Sequence, residues 1–170
     1  MNKNFKGDLQ GQKKWSTDIT TGCHALLCST IGCKRIVYVE QDPNEPDDPV
    51  KKVLDYSGVD ALAIHDFKKT SMLSFRTSNS TRPQVTMRQS ERIQWTTTQN
   101  YVQPDYHIQL ARPKDSPHIH YVVILDLNRF READNPDSYF REMHFNNGQG
   151  SFFKMTDEGL KLPCVRIYNF

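Results

Sequence analysis

A chain of 170 residues is of ordinary single-domain length, long enough to bury about two-thirds of its unfolded surface. Hydrophobic residues make up 36% and aromatic residues 11%, which is polar for a globular domain but too rich in large apolar side chains for disorder. Lys and Arg number 22 against 20 acids, so bulk charge gives no argument for nucleic-acid binding and any basic surface has to be local.

No apolar run approaches the roughly 18 residues a membrane span needs. The N-terminal Met-Asn-Lys-Asn-Phe-Lys-Gly carries charge with no apolar stretch behind it, unlike a signal peptide. Cys23, Cys28, Cys33 and Cys164 are therefore expected as reduced thiols in a cytoplasmic protein without a membrane partner.

In chain order, residues 1–14 are polar and Lys-rich and read as a flexible lead-in to one domain over 15–170. Trp15, Ile19, Gly22 or Cys23, Leu26, Leu27 and Ile31 share one helical face, with Ser16 or Thr17 as cap and Gly32 as the stop. Thr20-Thr21-Gly22 weakens the middle of that helix. A strand follows over Arg35–Glu40. The Pro- and Asp-rich stretch 41–49 is an exposed acidic loop, and Val50–Leu54 suits a short helical turn. Val59–Ile64 and Met72–Thr77 pair as a hairpin through His65–Thr70. Further strands are predicted at Gln84–Arg88, Arg92–Thr97, Tyr106–Ala111, His120–Leu125, Ser151–Met155 and Val165–Tyr168, with Asp126–Glu132 passing from strand into a short helix. One early helix followed by many strands predicts an α/β domain, a mixed β-sheet with flanking helices.

The densest chemical signal is Asp55-Tyr-Ser-Gly-Val-Asp60. Gly58 permits the tight backbone that brings Asp60 to the head of a strand, and alternation puts Ser74 and Arg76 of the hairpin partner on one side. Two carboxylates and a cation at one sheet edge suit a magnesium-dependent phosphodiesterase, in which the metal activates water and the cation meets developing charge. The bland alternative for Asp55 and Asp60 is a solvated turn in which a carboxylate caps backbone N–H groups.

The succession of a helix ending at Gly32, a strand to Glu40, Asp55-x-x-Gly-Val-Asp60, a hairpin and Ser74-Phe75-Arg76 resembles the core of the PD-(D/E)XK nuclease superfamily, in its phage and mobile-element forms. The resemblance spans roughly residues 12–90 and implies a restriction-endonuclease-like core. Carried over by position, Asp60 is the metal-binding acid and Asp55 joins it at the metal. Ser74 stands where the family has Asp, Glu or Gln, Arg76 replaces its Lys, and Asp18 matches loosely its acid on the first helix. Serine is a poor Mg²⁺ ligand and arginine does not replace a catalytic lysine. The resemblance therefore implies a protein that binds DNA or a host factor with weak or absent cleavage. The alternatives are an active Mg²⁺-dependent endonuclease and a protein-interaction module unrelated to nucleic acid.

Arg76, Arg82, Arg88 and Arg92 recur among Thr, Ser, Asn and Gln with Trp95, Tyr101 and Tyr106 nearby, a composition suited to phosphates and unpaired bases. The competing reading is a solvated sheet face whose arginines pair with Glu91 and Asp105. Cys23, His24, Cys28 and Cys33 are zinc-ligand types, but their spacing differs from zinc knuckles, and positions 23 and 28 of one helix lie about 140° apart. His118 and His120 would share one side of a strand, where an exposed strand start is the plainer reading.

Overall fold

The structure, a computed structural model, describes residues 19–20, 22–39, 46–56, 58–88, 103–144 and 151–170. Helix α1 runs over His24–Ile31 and ends at Gly32, whose φ of 75° lies in the left-handed region that glycine adopts without a Cβ penalty. The amides of Gly32 and Cys33 both donate to the Cys28 carbonyl, closing the last turn. Ile19, Thr20 and Gly22 are helical, and a turn at Cys23 separates them from α1. Strand β1 is Arg35–Tyr38, and helix α2, Pro49–Tyr56, is longer than the single turn expected there.

Strands β2 (Ala61–Asp66) and β3 (Lys69–Ser78) form the predicted hairpin. After them come β4 (Thr86–Arg88), β5 (Tyr106–Ala111) and β6 (Tyr121–Asp126). Helix α3, Leu127–Arg131, is capped by Asp126, whose carboxylate accepts the Arg129 amide at 3.1 Å. Strands β7 (Phe140–His144), β8 (Ser151–Met155) and β9 (Val165–Asn169) complete the chain. The strand expected at Arg92–Thr97 lies outside the described residues. The sequence reading missed β7, because only Phe140 of its five residues is buried and no alternation marks it.

Two sheets result. The larger is mixed and six-stranded, ordered β1-β2-β3-β5-β6-β9, with every pairing antiparallel except β3 with β5. The smaller is antiparallel, ordered β4-β8-β7. The mixed α/β class expected from the sequence is thus observed, with few helices.

Each face of the large sheet covers its own core. Ala61, Ala63, Leu73, Ile108, Leu110, Val122 and Ile124 pack with Leu27 of α1 and with Ile36. On the opposite face Val123 and Leu125 meet Val85, Met87, Phe153 and Met155 of the small sheet and Leu127 and Phe130 of α3. Strand β6 serves both cores, which is why it reads as an unbroken Val-Val-Ile-Leu run. Asp105 holds the parallel junction. Its amide donates to Met72 O and its carboxylate accepts the Met72 amide, both at 2.8 Å, while the other carboxylate oxygen accepts from the Asn128 side chain.

Candidate polar site on the central strands

The middle of the second face is polar. Ser74, Arg76 and Ser78 alternate along β3, and His107 and Gln109 along β5, with Ser74 level with His107 and Arg76 level with Gln109. Ser74, His107 and Gln109 are buried, the last two at 1% exposure. Burying such groups is costly unless each finds a partner. Ser74 Oγ lies 3.3 Å from His107 Nδ1, with the direction of donation set by the ring tautomer. Gln109 Oε1 accepts from the Thr86 amide at 2.6 Å and from its hydroxyl at 3.2 Å, while Gln109 Nε2 donates to Thr86 Oγ1 at 3.1 Å. Thr86 opens β4, so this pair fastens the small sheet to the middle of the large one.

Asp60 sits where β2 begins. Gly58 precedes it with φ 74°, and the Val59 amide donates to Leu54 O, so the chain folds back from the end of α2 into the strand. The Asp60 amide donates to Leu73 O at 2.8 Å, yet Leu73 is also the register partner of Ala61. Asp60 thus shares the Leu73 position with Ala61 just before β2, so simple alternation does not extend to it. The carboxylate accepts the Phe75 amide at 2.5 Å, filling the place of a ladder carbonyl. Since Phe75 lies between Ser74 and Arg76, the acid meets the backbone of the Ser-Phe-Arg segment.

Asp55 belongs to the last turn of α2 rather than to an open turn, and its side chain lies outside what is described. Asp18 and Arg92 also fall outside the described residues. Arg82 is exposed in the connection after β3, where its amide donates to Ser80 Oγ. Arg88 is exposed at the end of β4. Arg76 and Arg88 thus stand on different sheets and do not form one stripe. Asp105, considered as an arginine partner, instead engages Met72 and Asn128.

Among the described residues no group of three or more His, Cys, Asp or Glu side chains is arranged to hold a metal ion. A hard dication takes oxygen ligands, chiefly carboxylates. Of the positions expected at the metal, the Asp60 carboxylate accepts a backbone amide and Ser74 lies against His107, while the Asp55 side chain lies outside what is described. His118 and His120 precede β6, and His120 Nε2 lies 3.0 Å from Ser116 Oγ.

No protein-family model matches the chain, and no curated protein or solved structure is found to be similar to it.

Two groups escaped the sequence reading. His107 and Gln109 occupy alternate positions of a strand whose other side chains are apolar, and the pattern Tyr-His-Ile-Gln-Leu-Ala reads as a half-solvated strand until a second sheet covers it. The helical spacing weighed for Cys23 and Cys28 does not extend to Cys33, which lies beyond the stop at Gly32. The turn at Gly32 leaves that geometry and brings Cys33 back to hydrogen-bond with Cys28, whose sulfur is also 3.6 Å from His24 Nε2. Burial first, and the contact with Cys28 second, push the Cys33 thiol up to about 11. Burial, then the nearby Cys28, Cys23 and Cys33, push Tyr38 up to about 12.

Proposed function

We propose that this protein has a nuclease-like, restriction-endonuclease-like core that associates with nucleic acid and cleaves it weakly or not at all. The observation that carries the reading is the engagement of the Asp60 and Ser74 side chains: the acid accepts the Phe75 amide, and Ser74, at the position where the PD-(D/E)XK superfamily has a second acid, lies against His107. The order of α1 ending at Gly32, β1, α2, Asp60 at the head of β2 and a hairpin to Ser74-Phe75-Arg76 supports the resemblance. The mixed sheet around that hairpin is compatible with it. Hydrolysis requires a metal-activated water and groups that stabilise charge at phosphorus. Here one carboxylate serves the strand backbone, and a guanidinium stands in for the ammonium.

The test joins two measurements on the full chain. Binding to a short DNA that weakens as salt rises, with plasmid left intact in Mg²⁺ and in Mn²⁺, is the expected result. Metal-dependent cleavage that disappears in Asp60→Ala would make the protein an active nuclease instead. No affinity for DNA or RNA would remove the reading altogether.

A further inference from the structure

The small sheet has one buried face and one turned away from the core. Met87, Phe153 and Met155 point inward and are buried. Alternation then places Arg88, Arg141, Met143, Phe152 and Lys154 on the outward face, whereas Thr86 at the start of β4 is buried and bonded to Gln109. The register sorts these five into two rows. Arg88, Phe152 and Met143 lie side by side across β4, β8 and β7, and Lys154 and Arg141 form the row beside them.

Among the described residues the chemistry of that face is one-sided. Arg88, Arg141 and Lys154 are exposed, and none of the five outward positions carries a carboxylate. In a chain with nearly balanced charge, three cations on one face of a small sheet make a local positive surface, the kind that bulk composition conceals. Between them lie two large apolar side chains, Phe152 half-buried and Met143 with 42% of its surface in water.

We infer that this outward face binds single-stranded nucleic acid, with Arg88, Arg141 and Lys154 meeting phosphates and Phe152, flanked by Met143, receiving an unpaired base. The inference rests on the nucleic-acid reading above and gives it a surface and a strand form. Cations that track a backbone beside an aromatic platform are the features by which proteins hold single strands without strong sequence preference. A duplex hides its base faces, and a three-stranded sheet with strands about 4.8 Å apart and side chains on both margins is too broad for a major groove about 12 Å wide.

The experiment measures fluorescence anisotropy with labelled oligo-dT and oligo-rU of about 20 nucleotides, and with a DNA duplex of equal length, at low and moderate salt. Wild type is compared with Arg141→Glu/Lys154→Glu and with Phe152→Leu and Phe152→Ala, each verified as folded by thermal melting. Wild type is expected to bind the single strands more tightly than the duplex. The double charge reversal is expected to weaken binding by tenfold or more and to flatten the salt dependence by about two phosphate contacts. Both Phe152 variants are expected to weaken single-strand binding by about tenfold without changing that salt dependence. If every variant binds as wild type does, nucleic acid docks elsewhere, and this face is overturned while the nuclease-like reading stands. Duplex binding as tight as single-strand binding, indifferent to Phe152, overturns the single-strand assignment. If wild type binds none of the three probes, both readings fall.

Discussion

Leu73 and Ser74 are neighbours on β3, yet they belong to opposite faces of the six-stranded sheet and to different kinds of interior. On the Leu73 face the central strands present Ala61, Ala63, Ile108, Leu110, Val122 and Ile124, a nearly continuous apolar surface against α1. On the Ser74 face β3 and β5 present Ser74, Arg76, Ser78, His107 and Gln109, beside the apolar Val123 and Leu125 of β6. Apolar burial is favourable in proportion to area and needs no particular orientation. Buried polar groups contribute little net stability when paired and cost about 1–3 kcal/mol when a partner is lost, so they demand specific geometry. The first face holds the domain together, and the second determines how the small sheet sits upon it.

The largest expected effect comes from the apolar side. Leu73→Ala should lower unfolding free energy in urea by roughly 2–5 kcal/mol, because the surrounding side chains can only partly close the space. A loss below about 1 kcal/mol would deny that face its role. On the polar side, Gln109→Leu removes the acceptor of the Thr86 amide and hydroxyl and should cost about 1–3 kcal/mol despite similar bulk. Near-neutral behaviour would mean that the two sheets are held by their apolar contacts alone.

The smallest effect is confined to alkaline solution and sharpens the apolar face at its edge. Cys33 and Tyr38 have folded pKa values raised from 9.0 and 10.0 to about 11 and about 12. The unfolded chain therefore loses these protons first. Their contribution is fully present below pH 9.0 and is lost as pH rises through about 11 for Cys33 and about 12 for Tyr38. Tm should be level up to the lower limit and fall beyond it. Cys33→Ala should remove the earlier part of the decline and Tyr38→Phe the later part. A decline identical in the double variant would assign it to other groups.

Much of the secondary structure was legible because local signals agreed with the final fold. Gly32 stops α1, the polar turn joins β2 to β3, and Tyr106–Ala111 and Ser151–Met155 are strands with the predicted bounds. The candidate site was legible in part. Asp60, Ser74 and Arg76 stand out by spacing, but strict alternation cannot show that Asp60 shares the Leu73 position with Ala61 and binds the Phe75 amide. That placement depends on where the chain leaves α2 and on which amide of the neighbouring strand needs an acceptor. Strand β7 was illegible for a related reason. An edge strand with one buried residue depends on its neighbour β8 for its backbone bonds.

The sequence by itself determined an α/β chain with one early helix, a central hairpin headed by Asp60 and an apolar strand at His120–Leu125. These follow from periodicity, glycine conformation and hydrophobic runs, which act over a few residues. Tertiary structure alone decided that a second sheet covers His107 and Gln109, that Arg76 and Arg88 part company, and that Arg88, Arg141 and Lys154 share a face. Strand partners can be separated by tens of residues, and shifting a register by one reverses which side chains face the core and which face water. The polar turn that first marked Asp60 thus acquires its neighbours from the sheet, and the cationic face exists only once β4, β8 and β7 have paired.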